Sequence, residues 1–138
     1  MKKGFYVLCV IILILSSCVA CAKDNYRLDD LKSYKNIQNV LDNIYYFEIY
    51  YIYGELDTVF IIDNNDEINN IKNMLIKQLF YRDKSQMVLG WQTKIVIVTL
   101  SHLAVPIQIN SIKQNNYWYH PIDNVLMYLL EEYSIKYG

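Results

Sequence analysis

The sequence predicts an α+β fold. It reads as a two-layer sandwich in which an antiparallel sheet of about five strands carries two main helices on one face. The order is β-β-α-β-β-β-α, behind a signal helix and a weak N-terminal helix. Three observations predict this. Ile44–Tyr53 (IYYFEIYYIY) and residues 91–100 (WQTKIVIVTL) are dense in β-branched and aromatic residues, which suit a pleated, half-buried surface. Turn-length breaks separate these runs from their neighbours, so successive strands pair antiparallel. Two further stretches space apolar residues three and four apart, and each such amphipathic helix needs a sheet face to cover.

The chain begins MKKGFYVLCVIILILSSCVACA. Lys2 and Lys3 precede eleven apolar residues, 5–15, and small residues around a cysteine follow, the layout of an export signal. That core is shorter than the roughly 20 apolar residues a bilayer span wants. Leu15, Ser16, Ser17 and Cys18 then supply a branched apolar residue, two small residues and a cysteine. In these residues the chain resembles the bacterial prolipoproteins, whose lipobox has this pattern. The resemblance implies that the Cys18 thiol receives a diacylglyceryl group, and that the signal is cut between Ser17 and Cys18. Acylation of the new N-terminus is also implied. Cysteine suits this chemistry because its thiolate is the nucleophile. Each buried CH₂ of an acyl chain contributes about 0.8 kcal/mol, and stable anchoring takes more than one chain. The expected location is extracytoplasmic, lipid-anchored at the cell membrane or the outer membrane. Three alternatives stay open: acylation of Cys21, behind Cys18-Val19-Ala20; an uncleaved anchor over the eighteen uncharged residues 5–22; and ordinary cleavage near Ala20 and Ala22.

The expected organisation is a lipoprotein signal peptide at 1–17, a tether and weak helix at 18–43, and one α+β domain at 44–138. Beyond the signal, eleven basic residues face fourteen acidic ones, a net charge of −3. That mild acidity leaves no electrostatic footprint for nucleic acid and no polybasic patch for anionic lipid. All three cysteines, Cys9, Cys18 and Cys21, fall in residues 1–22, so the expected domain has no disulfide, thiolate metal site or cysteine nucleophile. Its stability must come from its core. Fourteen tyrosines accompany many Ile, Asn and Lys residues, a bias that AT-rich codons produce without any functional cause.

In chain order, residues 23–43 are polar, with Leu28, Leu31, Ile37, Val40 and Leu41 loosely at helical spacing. In Ile44–Tyr53 one parity, Tyr45, Phe47, Ile49, Tyr51 and Tyr53, is uncharged and predicts the core face. Gly54-Glu55 breaks the run and residues 58–63 resume it, the signature of a hairpin. Residues 64–80 predict a helix, with Asn64 as N-cap, Glu67 completing a capping-box variant, and Ile68, Ile71, Leu75 and Leu79 as its stripe. Residues 81–90 read as a loop and 91–100 as a strand, with 105–112 returning. Pro106 lacks a donor, which places that strand at an edge or at its own start. Residues 113–116 (KQNN) predict a turn and Tyr117-Trp118-Tyr119 a short strand. Pro121 suits the first position of a C-terminal helix whose stripe is Ile122, Val125, Leu126, Leu129, Leu130 and Tyr133.

Catalytic constellations are absent from the pattern. His102 and His120 have no third ligand at metal-site spacing, so no metal or other cofactor is expected. His120 reads instead as capping the C-terminal helix or packing beside Tyr119. No serine lies in a G-x-S-x-G or S-x-x-K context, and the four glycines form no phosphate loop. Asp63, Asp66 and Glu67 at a helix start are accounted for by capping and dipole complementarity. The remaining candidates are aromatic. Tyr46 and Tyr50, on the face that also carries Glu48, together with Trp118, form the candidate binding surface. The sequence therefore predicts a non-enzymatic, membrane-anchored envelope protein whose domain binds another envelope protein. The alternatives are a glycan or small-ligand module using the aromatic face, or an envelope hydrolase.

Overall fold

The computed structural model describes residues 25–85 and 92–138. Strand β1 (Tyr26–Arg27) leads through two 3₁₀ turns, Leu28–Asp30 and Lys32–Tyr34, to α1 (Ile37–Asp42). Then come β2 (Ile44–Tyr53), β3 (Leu56–Ile62), α2 (Asn65–Lys77), β4 (Leu79–Asp83) and β5 (Lys94–Thr99). The chain ends with β6 (Ala104–Gln108), β7 (Ile112–Gln114), β8 (Tyr117–Pro121) and α3 (Val125–Tyr137). The class is α+β, and all strand pairs among the described residues are antiparallel. The strands sort into two four-stranded sheets, β3-β2-β5-β6 and β1-β4-β8-β7, where a single sheet of about five is expected from sequence. The reason is that the chain crosses between sheets after β1, β3, β4 and β6, so strands that follow one another need not be neighbours.

The longer sheet, β3-β2-β5-β6, shows the predicted alternation. Ile62, Phe47, Ile97 and Val105 line up across it, as do Phe60, Ile49, Ile95 and Ile107. All but Val105 are buried, and Phe47, Ile49, Ile95, Ile97 and Ile107 are fully so. Fully burying one such side chain contributes about 1.5–3 kcal/mol. The central inward parity of β2 is as expected, but its ends differ. Tyr45 is 57% exposed because the register slips between Ile44 and Tyr46, which leaves Tyr45 as the extra residue of a bulge. Tyr53, at the strand's other end, is 41% exposed. Pro106 lies on β6, an edge strand, where its missing donor costs no ladder bond.

The β2–β3 hairpin turns through Gly54-Glu55, with Gly54 at φ 61°, the position where a two-residue turn of type II′ wants glycine. In the shorter sheet, Asn115 and Asn116, at φ 53° and 67°, form the I′-like turn between β7 and β8. The predicted KQNN turn thus narrows to its two asparagines. Residues 81–90, expected as a loop, begin within β4, whose Tyr81, Arg82 and Asp83 pair with His120, Tyr119 and Trp118. Pro121 closes β8 instead of opening the helix, so Ile122 lies outside α3 and is 45% exposed. The buried stripe of α3 is Leu126, Met127, Leu130, Tyr133 and Ser134, with Val125 out in solvent.

Helix α2 is capped by Asn64, whose side chain accepts from Asp66 N at 2.9 Å and Glu67 N at 3.3 Å. Glu67 does not reach back to complete a capping box; it accepts from the Tyr137 hydroxyl and from Lys136 Nζ at 3.4 Å. The end of α3 is thereby fastened to the first turn of α2, and Tyr137 stacks beside Phe60 on the inner face of β3 at 6.3 Å. Residues 25–43, expected as tether and weak helix, supply Leu28, Leu31, Ile37 and Leu41 to the same core. Among the described residues, no helix is long and apolar enough to cross a membrane.

Candidate functional site

The helices and the inner rows occupy one face of the longer sheet, and the alternation of β2 turns Tyr46, Glu48, Tyr50 and Ile52 to the other. Their cross-strand partners extend this outer face. Ile61, Glu48, Val96 and Pro106 form one row, and Val59, Tyr50, Lys94 and Gln108 the next. Val59 and Ile61 are 55% and 51% exposed, while Tyr46, Tyr50, Val96 and Val98 are half-buried. The result is an apolar and aromatic surface with polar groups at its centre. There the Tyr50 hydroxyl donates to Glu48, and Lys94 Nζ sits 4.2 Å from the Tyr50 ring centroid. The hydrogen bond to Glu48 raises the Tyr50 pKa above the ordinary phenol value, with desolvation and the carboxylate's charge adding to it. Tyr50 is therefore a neutral hydroxyl oriented by Glu48, with the Lys94 ammonium against its ring face.

One end of this face opens into a hollow of about 600 Å³ lined by Ile44, Tyr45, Tyr46, Ile61, Asp63, Asn65 and Leu100. The Tyr45 and Tyr46 rings stand 5.4 Å apart at 62°, forming a corner. Asp63 and Asn65 are exposed and flank the capping residue Asn64. A neighbouring hollow of about 300 Å³ lies beyond Leu100, between Asn36, Asn39 and Asn43 and the β5–β6 loop. In that loop Thr99 Oγ1 accepts from Leu103 N at 3.1 Å, and His102 adopts φ 64° as an exposed turn residue.

Of the three expected binding residues, Tyr46 and Tyr50 share the outer face, four residues apart on β2. Trp118 is not with them. It lies on β8 of the other sheet, opposite Asp83 and Lys113, with Lys113 Nζ 5.6 Å from its ring. Trp91, Ser17, Cys18 and Cys21 lie outside the described residues. His120 is fully buried, with Nε2 3.2 Å from the Ser85 carbonyl oxygen and its ring 5.3 Å from that of Tyr81. It belongs to β8 rather than to a helix cap, and its ring partner is Tyr81 because β4 pairs beside it. Among the described residues, no three of His, Cys, Asp and Glu converge to hold a metal.

The structure adds Val59, Ile61, Asn65 and Leu100 to the candidate surface, together with Tyr45, expected in the core, and Asp63, expected only as an acid at a helix start. Val59 and Ile61 are legible as the outward parity of β3. Tyr45 is not, because only pairing with β5 creates the bulge that turns it outward. Leu100 enters through a backbone bond from its amide to the Asn43 carbonyl, 2.9 Å long, between segments far apart in sequence. No protein-family model, no curated protein and no solved structure matches the chain.

Proposed function

We propose that the protein is a lipid-anchored, non-enzymatic envelope protein that docks another envelope protein on the outer face of the β3-β2-β5-β6 sheet. The observation that carries this reading is the pair of rows Ile61-Glu48-Val96-Pro106 and Val59-Tyr50-Lys94-Gln108, where large apolar side chains are left to solvent around an oriented polar centre. Contiguous exposed apolar surface of this kind marks interaction sites on folded proteins. Central aromatic groups with hydroxyl handles are enriched among the residues that dominate binding. The anchor rests on Leu15-Ser16-Ser17-Cys18, which fill the lipobox, with Cys18 as the acylated residue. A tethered domain needs little intrinsic affinity, because confinement to the membrane raises the effective concentration of a neighbouring envelope protein.

The test is site-specific photocrosslinking in the intact cell. A photoreactive residue at position 59 should give one discrete adduct, absent when the same group is placed at Glu132, an exposed position on α3. Val96→Lys, which buries a charge in the middle of the contact, should abolish that adduct. Equal crosslinking from both positions would defeat the docking reading. For the anchor, Cys18→Ala should abolish labelling by a fatty-acid analogue and Cys21→Ala should leave it intact.

A further inference from the structure

The hollow at the end of the outer face is built for a different kind of ligand from the apolar rows beside it. We propose that it binds a neutral saccharide, with a pyranose ring seated in the corner made by Tyr45 and Tyr46 and its hydroxyls facing Asp63 and Asn65. Its volume, about 600 Å³, lies within the range of small-ligand sites. The Tyr45–Tyr46 corner supplies an apolar ring face and two phenolic hydroxyls, and Tyr45 is 57% exposed. A tyrosine ring offers this contact at small entropic cost, since only two side-chain torsions are fixed.

The polar side of the hollow has matching chemistry. Asp63 contributes two acceptor oxygens and Asn65 an acceptor and two donors, and neither side chain makes a hydrogen bond to a described residue. Their backbone flanks Asn64, whose two capping bonds fix the start of the helix there. A wholly apolar ligand would strip water from these groups without replacing it, at a cost that opposes binding. An anionic ligand would meet the Asp63 carboxylate with no lysine or arginine in the lining to offset it. A neutral sugar satisfies both sides, since one face of a pyranose presents C–H groups and its rim presents hydroxyls. The hollow shares Ile61 with the docking rows, but Val59, Tyr50, Val96 and Lys94 lie outside it, so the two readings can be tested apart.

The test is calorimetric titration of the full-length protein in detergent with three neutral tetrasaccharides: a β-1,4-glucan, an α-1,4-glucan and a β-1,4-linked N-acetylglucosamine tetramer. Saturable binding of at least one is expected, weakened about tenfold or more by Tyr45→Ala, through loss of the stacking face, and comparably by Asp63→Ala, through loss of its hydrogen bonds. Both positions are exposed, so the variants should keep the wild-type circular dichroism. Val96→Lys, outside the hollow, should leave sugar binding unchanged while removing the photocrosslink from position 59, which separates failure of this inference from failure of the docking reading. An absence of saturable binding to all three up to millimolar concentrations would overturn it. So would affinities indifferent to both substitutions, or equal binding of an acidic tetrasaccharide.

Discussion

The two sheets are built from the same number of strands and held by different means. In β3-β2-β5-β6 the strands run to ten residues, the two central inner rows are aliphatic or aromatic throughout, and the sheet needs only its own alternation and a covering helix. In β1-β4-β8-β7 the strands have two to five residues and carry Arg82, Asp83, Lys113 and His120. Its apolar contribution is concentrated in Phe80, Ile112 and Tyr119, and polar contacts fill in the rest. Arg82 lies over the Tyr117 ring at 4.4 Å, and buried His120 engages the Ser85 carbonyl. The first sheet is a hydrophobic platform able to leave one face open, whereas the second holds together only as part of the whole.

The contrast is most exposed to failure at the platform's centre. Phe47 is fully buried between Ile62 and Ile97, and Phe47→Ala should cost about 3–5 kcal/mol, read from denaturant midpoints. In the shorter sheet the corresponding weak point is polar. His120→Ala should cost about 1–3 kcal/mol, because it removes the bond to the Ser85 carbonyl and leaves a void beside Tyr81 where a fully buried ring stood. If His120→Ala equalled Phe47→Ala, the distinction between the sheets would fail.

The two hairpin turns separate the sheets on a smaller scale. Gly54 sits at φ 61° with open space where a methyl group would stand, so Gly54→Ala is opposed only by backbone strain, about 1–2 kcal/mol. Asn116, at φ 67°, already tolerates its conformation with a side chain, and Asn116→Gly should stabilise the β7–β8 hairpin by a few tenths of a kcal/mol. Thermal melts of the two variants should move in opposite directions.

The smallest expected effect shows only against pH. Asp83 Oδ1 accepts from the backbone amides of Lys84 and Ser85, which hold its carboxyl below the ordinary range. The Ser85 hydroxyl and the charge of His120 act the same way, against partial desolvation. A carboxyl depressed by folding stabilises the folded state above its unfolded pKa. That contribution fades as pH falls through the ordinary carboxylate range and is gone below the folded value. Asp83→Ala should therefore lower stability slightly at neutral pH and leave it unchanged at the acid end, measured as denaturant midpoints across the pH range.

Local pattern was sufficient for the long strands, the α+β class, the edge placement of Pro106 and the capping by Asn64. Each depends on neighbours within a few residues: a two-residue alternation, a missing amide, a side chain reaching the next turn. The outward Tyr46 and Tyr50 followed from the same alternation. Only the assembled fold decided that the strands divide between two sheets, that the polar triplet Tyr81-Arg82-Asp83 is a strand, and that Trp118 sits apart from the tyrosines. The same holds for the bulge that turns Tyr45 into the hollow with Asp63 and Asn65. Those features arise from pairing between segments distant in the chain, and a short polar strand has too few alternating positions to announce the partner that will satisfy its backbone.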